Sequence, residues 1–149
     1  MIKINIRNLN RKKSFDQVSL KRKVAKVLKK LGYNGIELNI IFVSNQEIKA
    51  LNRRFLRENA ATDVMAFPYD AESDVCTARD GFKLLGDIAI SSDKAEENAR
   101  VYGKTFLQEL TLYVIHGILH LDGYDDVTEK KAKLMRKKEN ELLEATKRF

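Results

Sequence analysis

The 149-residue chain has one cysteine, one proline and only two histidines. With a single cysteine, Cys76, no internal disulfide can form, so the core must hold the fold and a reducing compartment is expected. No other Cys or His lies near Cys76 in sequence, which argues against a metal-ligand role. Long hydrophobic runs are missing too. The longest, around residues 110–121, is too short to span a bilayer and contains both histidines. At the N-terminus Ile2, Ile4 and Ile6 alternate with polar and basic residues, which is not the continuous apolar stretch of a signal peptide. No repeat, low-complexity tract or linker divides the chain. The expectation is one soluble, cytoplasmic domain over 1–149 with no membrane partner.

Charge is plentiful. Charged residues make up 33% of the chain and apolar ones 44%, with a formal net charge of +7, the balance of a folded protein with a highly charged surface. Between Arg7 and Lys30 there are ten basic residues and one acidic, Asp16. Such a segment attracts a polyanion, nucleic acid first. The plainer alternative is a solvated helix face on a charge-rich protein. An anionic membrane is a weaker third reading, because the other face of the helix is not strongly apolar.

The periodicity of apolar residues predicts an α+β fold, a small mixed sheet of about four strands packed with about five helices. "MIKINIRNL" alternates as a strand. "VSLKRKVAKVLKKLG" has Val18, Val24, Val27, Leu28 and Leu31 at helical spacing and stops at Gly32. "IELNIIFVS" reads as a second strand and "NQEIKALNRRFLR" as a helix capped by Ser44 or Asn45. "TDVMAFPY" is a short strand closed by Pro68, residues 70–83 a loop or hairpin connection, and "KLLGDIAIS" a fourth strand. Ser91 or Ser92 caps "SDKAEENARVYG", which ends at Gly103. "FLQELTLYVIHGILHLDG" is the most apolar helix, and a last helix runs from about Thr128 to Lys147.

Both histidines, His116 and His120, lie in that apolar helix, four positions apart. Residues four apart differ by about 40° around a helix, so the two imidazoles can aim at one point. Such a pair commonly supplies two of three protein ligands to zinc or a related ion. Gly123 can end the helix in a left-handed conformation and turn the chain back. Asp126 follows three residues later, so H-x-x-x-H-x-x-G-x-x-D supplies two nitrogens and a carboxylate and leaves a fourth position for water. Asp122 and Asp125 are rival third ligands, although Asp122, two residues past His120, points away if the helix continues to it. The alternative without a metal is a histidine pair that merely satisfies hydrogen bonds in the core. In the H-E-x-x-H peptidase pattern a glutamate follows the first histidine as base; Gly117 stands there, which argues against proteolysis. Two histidines and a carboxylate also describe a non-haem iron oxygenase site, but nothing in the chain announces a cosubstrate pocket.

With "HGILHLDGYDD" at 116–126, "LNRRFLRENAATDVMAFP" at 51–68 and "LGDIAIS" at 85–91, the chain resembles the YbeY family of bacterial metal-dependent, single-strand-specific endoribonucleases over most of its length. The resemblance implies a small α+β domain with a zinc-type site at the end of a central helix. It further implies an enzyme that matures ribosomal RNA, notably the 3′ end of 16S RNA, and takes part in ribosome quality control. Single-stranded RNA and the ribosome would be its partners. The chain departs from the family pattern twice. Asp126 stands where the third ligand is usually histidine, adding negative charge that weakens the Lewis acidity of the ion. Leu56 stands where the family usually has an arginine that looks like its phosphate-handling residue. Arg57 and Arg54 are the neighbouring substitutes, although one register step swings a helical side chain by about 100°. Thr62 and Asp63 either line the cleft or form a turn, the turn being the plainer reading. Asp87 either supports the metal site or merely begins a strand. Attack by water and attack by the RNA's own 2′-hydroxyl both stay open. The rival from another class is a non-catalytic RNA-binding assembly factor with a structural metal.

Overall fold

The computed structural model describes residues 1–55, 63–69 and 82–147. The elements run β1 (Ile2–Asn8), α1 (Gln17–Lys30), β2 (Ile36–Val43), α2 (Asn45–Phe55), β3 (Val64–Pro68), β4 (Lys83–Ser91), α3 (Ser92–Tyr102), α4 (Phe106–Leu121) and α5 (Glu129–Thr146). The fold is α+β with a mixed sheet in the order β1-β2-β4-β3. β1, β2 and β4 are parallel, and β3 runs antiparallel to β4 at the edge.

The strands alternate, so each residue type has its own face. Ile6, Ile40 and Ile88 pair across three strands and form one apolar row. That face is covered by α1 and α4, with α5 packed against both, and the three supply Leu20, Val24, Leu110, Ile115, Ile118 and Met135 to the main core. Each such side chain contributes about 1.5–3 kcal/mol when fully buried. On the other face a smaller cluster of Val43, Ile48, Met65 and Ala89 seats α2.

Caps decide where the helices begin. Asp16 accepts from the Ser19 N–H at 3.0 Å, and Ser44 from that of Glu47 at 3.2 Å. At α3 the cap is Ser91, which accepts from the Lys94 N–H at 3.2 Å, while the Ser92 hydroxyl donates to the Val43 carbonyl at 3.3 Å. Thr105 and Gln108 form a reciprocal capping box at the start of α4. Gly103 ends α3 in the left-handed conformation.

Asp93 ties three segments together. Its carboxylate accepts from the Asn45 backbone N–H and from the Asn10 amide, each at 2.9 Å. Burial by itself would raise its pKa, but those two bonds and the charges of Lys13 and Lys12 outweigh it and hold the carboxyl below its ordinary range. A carboxyl depressed in the fold contributes stability that is complete above its unfolded value of about 3.9 and is lost as the pH falls further. Asp93→Asn is expected to lower the urea midpoint at pH 7, with its difference from wild type narrowing as the pH falls below about 4.

At Gly117 the backbone of α4 rests directly on the Ile88 side chain, with no side chain of its own between. A Cβ there would stand 2.7 Å from Ile88 Cγ2 and 2.9 Å from Cδ1. The position that bears glutamate in H-E-x-x-H peptidases therefore has no room for one. Gly117→Glu, a buried carboxylate forced into the core, is expected to cost at least about 3 kcal/mol in denaturant unfolding and to create no peptidase.

Candidate metal centre

The last turn of α4 closes with paired bonds of the Schellman type. The Tyr124 N–H donates to the Leu119 carbonyl at 2.9 Å and the Gly123 N–H to that of His120 at 3.2 Å. Gly123 has φ +100°, a conformation that side chains strain to adopt. This reversal brings Asp126 back beside the helix. One ligand atom from each of His116, His120 and Asp126 lies within 4.8 Å of the other two, a group that could hold a metal ion. Asp122 and Asp125 stay outside it. Asp122 accepts from the Tyr33 hydroxyl; Asp125 accepts from the Val127 N–H at 3.1 Å and pairs with Lys131 at 3.4 Å.

The two Nε2 atoms of His116 and His120 face each other at 3.1 Å. Two nitrogens bound at ~2.0–2.1 Å to one tetrahedral ion stand roughly 3.3–3.4 Å apart, so little movement separates the two arrangements. The other ring nitrogens are engaged. His116 Nδ1 meets a carboxylate oxygen of Glu139, from α5, at 2.5 Å, and the His120 ring bonds to the Tyr124 backbone. With a proton on each of those nitrogens, both inward-facing Nε2 atoms present lone pairs, which repel unless a cation lies between them. Burial and then the neighbouring His116 lower the His120 pKa, while Asp126, the Tyr124 bond and Glu139 oppose the shift. His120 is thus held toward the neutral, ligating form.

The group opens on a cleft of about 490 Å³ lined by Asp63, Leu112, Tyr113, His116, Asp126 and Glu139, among others. Asp63 immediately precedes β3, and pairing of that edge strand with β4 holds it against α4. It lines the cleft, not merely a turn. The Tyr113 hydroxyl accepts from the Asn98 amide and bonds to Asp63; burial and the Asp63 charge push its pKa well above the usual range. One turn before, burial and the Asp63 charge raise the Glu109 pKa, with Lys104 opposing.

Other candidates lie elsewhere. Asp87 is in the middle of β4 on the opposite face of the sheet, where it accepts from Asn39 at 2.9 Å and from the Tyr69 hydroxyl at 3.1 Å. Arg54 is exposed at the end of α2, its guanidinium 5.4 Å from the centre of the Phe55 ring, and it does not line the cleft. Leu56, Arg57, Thr62 and Cys76 lie outside the described residues. Glu139 is the residue that sequence reasoning missed. Its signal is a carboxylate in the buried stripe of α5, four residues after Met135 and three before Leu142.

A family model described as endoribonuclease YbeY matches residues 5–147. Among curated proteins, the endoribonuclease YbeY of Alkaliphilus metalliredigens is 38% identical over 85% of this chain and 87% of its own. That of Carboxydothermus hydrogenoformans is 35% identical over 94% of both. The solution structure of TM1509 from Thermotoga maritima is similar with a TM-score of 0.64 and 35% identity, covering 98% of this chain and 89% of that one.

Glu139→Gln keeps the shape at His116 and removes the charge that orients its ring. The expected result is a folded protein whose affinity for an added divalent metal ion, measured by chelator competition, falls about 10- to 100-fold.

Proposed function

This chain belongs to the YbeY endoribonuclease family, and from that premise and the geometry of the cleft we propose that it is a zinc-dependent enzyme cutting single-stranded ribosomal RNA. The proposal extends to maturation of the 16S 3′ end and ribosome quality control in the cytoplasm, with residues 1–149 acting as one hydrolase domain. Among the described residues, no helix is long and apolar enough to cross a membrane.

The observation that carries the reading is the meeting of two facing imidazole nitrogens with a carboxylate in a cleft that also exposes Asp63 and Glu139. An acidic cleft repels a phosphodiester unless a cation compensates it. His116, His120 and Asp126 are the proposed ligands, and their N,N,O donor set suits zinc. When bound, the ion supplies Lewis acidity toward a phosphoryl oxygen and makes water more acidic. Glu139 keeps His116 in the tautomer and orientation that aim Nε2 inward. Tyr113 stays protonated as the Asp63 partner and forms part of the cleft wall. Charge growing on the scissile phosphate is assigned to an arginine of the 53–57 segment. Arg57 is the choice over Arg54, whose guanidinium lies over Phe55.

The test is cleavage of a 5′-labelled single-stranded ribosomal RNA fragment by wild type and His116→Ala, purified side by side. Wild type is expected to cut, to stop in chelator and to recover with zinc, and His116→Ala to match the chelated enzyme. Equal cutting by both would assign the activity to a contaminant. Zinc binding without cutting by either would replace the nuclease with the RNA-binding assembly factor. Asp126→His, which installs the family's usual third ligand, is expected to retain cutting and to shift metal preference.

A further inference from the structure

Three helices of this chain distribute charge as the backbone dipole favours. α1 is capped by Asp16 and ends on Lys29 and Lys30; α2 has Glu47 in its first turn and Arg53 and Arg54 in its last. α3 runs from Asp93 to Arg100. α5 does the opposite. After Glu129 its first ten residues hold Lys130, Lys131, Lys133, Arg136, Lys137 and Lys138, and the remainder holds Glu139, Glu141 and Glu144 with no cation. Lys130 and Lys131, in the first turn, work against the dipole, which acts only near the helix end, and the run beyond them crowds like charges onto one helix; a local rule broken without a compensating contact points to a functional surface.

The contacts that could compensate are few. Lys131 pairs with Asp125 at 3.4 Å and Lys138 with Glu141 at 3.6 Å. Lys130, Lys133, Arg136 and Lys137 are exposed and form no ion pair among the described residues. With Met135 and Leu142 marking the buried side, helical angles place Lys130, Lys133 and Lys137 on the outer ridge. Arg136 falls on the flank shared with Glu139, toward the cleft. From Lys130 to Lys137 the ridge runs about 10 Å along the axis, and Thr128 caps the helix only two residues after Asp126.

We propose that this ridge is the docking surface for the phosphate backbone of the single-stranded RNA that enters the metal cleft, with Arg136 nearest the cleft and Lys133, Lys137 and Lys130 beyond it. The inference rests on the RNA-cutting function proposed above. Charge complementarity supports it. Asp63, Asp126 and Glu139 make the cleft itself acidic, so the strand needs cations outside it, and the ridge begins where the ligand loop ends. A lipid surface fits less well, because Leu134 is the exposed large apolar side chain of α5 and no apolar stripe accompanies the lysines.

The experiment measures binding of a labelled, nuclease-resistant 2′-O-methyl oligonucleotide to the zinc-loaded full chain across salt concentrations. Wild type is compared with the combined Lys130→Gln, Lys133→Gln, Arg136→Gln and Lys137→Gln variant. A control removes the same charge from α1: Lys21→Gln, Arg22→Gln, Lys29→Gln and Lys30→Gln. Each lost phosphate contact on a single strand reduces the slope of log K against log salt by about 0.7. The α5 variant is expected to lose about 2 to 3 units of slope and at least about tenfold in low-salt affinity, with its thermal midpoint unchanged or raised. The α1 control should keep the wild-type slope. Equal losses in both variants would mean a general basic field and overturn the ridge, as would an unchanged slope in the α5 variant. So would α5-dependent binding to anionic vesicles with none to the oligonucleotide. Zinc-dependent cutting with an unchanged α5 slope would sink the ridge and leave the nuclease standing. Ridge-dependent binding without cutting would do the reverse.

Discussion

The close contact of α4 with β4 at Gly117 and Ile88 is the constraint on which the cleft depends. A helix whose backbone rests directly on a strand's side chain cannot roll without opening a gap or driving atoms into Ile88. That fixes the azimuth of every residue on α4. His116 precedes the contact by one position and His120 follows it by three, so both project from the same flank, toward α5 and the β3 edge. Apolar packing sets the aim of two polar side chains in this way. Interiors packed to crystal density resist displacement, so the imidazoles need no hydrogen bond merely to stay near one another.

Their hydrogen bonds serve another purpose. Glu139 reaches His116 from α5, and the Tyr124 backbone holds the other ring. Each bond is directed at the nitrogen that faces away from the partner histidine, which leaves the facing pair of nitrogens, 3.1 Å apart, as acceptors. Orientation of a metal-ligating histidine by a carboxylate behind it raises the basicity of the ligand. In this chain that contribution works alongside Asp126, which brings a full negative charge where a histidine would bring none. The site is therefore electron-rich, and it sits beside Asp63. Such a cleft attracts cations strongly and repels a bare phosphate, so any polyanion that uses it depends on positive charge placed at the rim.

What was legible in the sequence was what is local. His116, His120, Gly123 and Asp126 span eleven positions, and helical geometry with one left-handed residue is enough to bring three side chains together. The strands and helices were readable for the same reason, because period two and period 3.6 are short-range signals and the caps at Ser44 and Ser91 lie next to the segments they start. Glu139 was not legible. It comes from twenty-three residues beyond His116, and only the antiparallel packing of α5 on α4 makes them neighbours. Asp63 reaches the cleft because β3 is the edge strand beside β4, an order that periodicity does not encode. Asp87 shows the same limit in reverse. It stands in a segment of the family resemblance, yet strand alternation sends it through the sheet to the face away from the histidines.

α5 joins these themes, because one helix carries two opposite electrostatic tasks. Glu139 points inward with Met135 and Leu142 and adds negative charge behind a proposed metal ligand, while Lys130, Lys133 and Lys137 point outward. A period of 3.6 residues keeps the two sets on different faces, so they do not neutralise each other along the axis. Had the cations been placed at the C-terminal end, as the dipole favours, they would lie near Thr146 and Lys147, which border the opposite end of α4 beside Lys104. Their position at the N-terminal end forgoes that favourable term and puts four positive charges next to the loop that carries Asp126. The energetic disadvantage to the helix and the electrostatic advantage to an anionic strand at the cleft thus arise from the same placement.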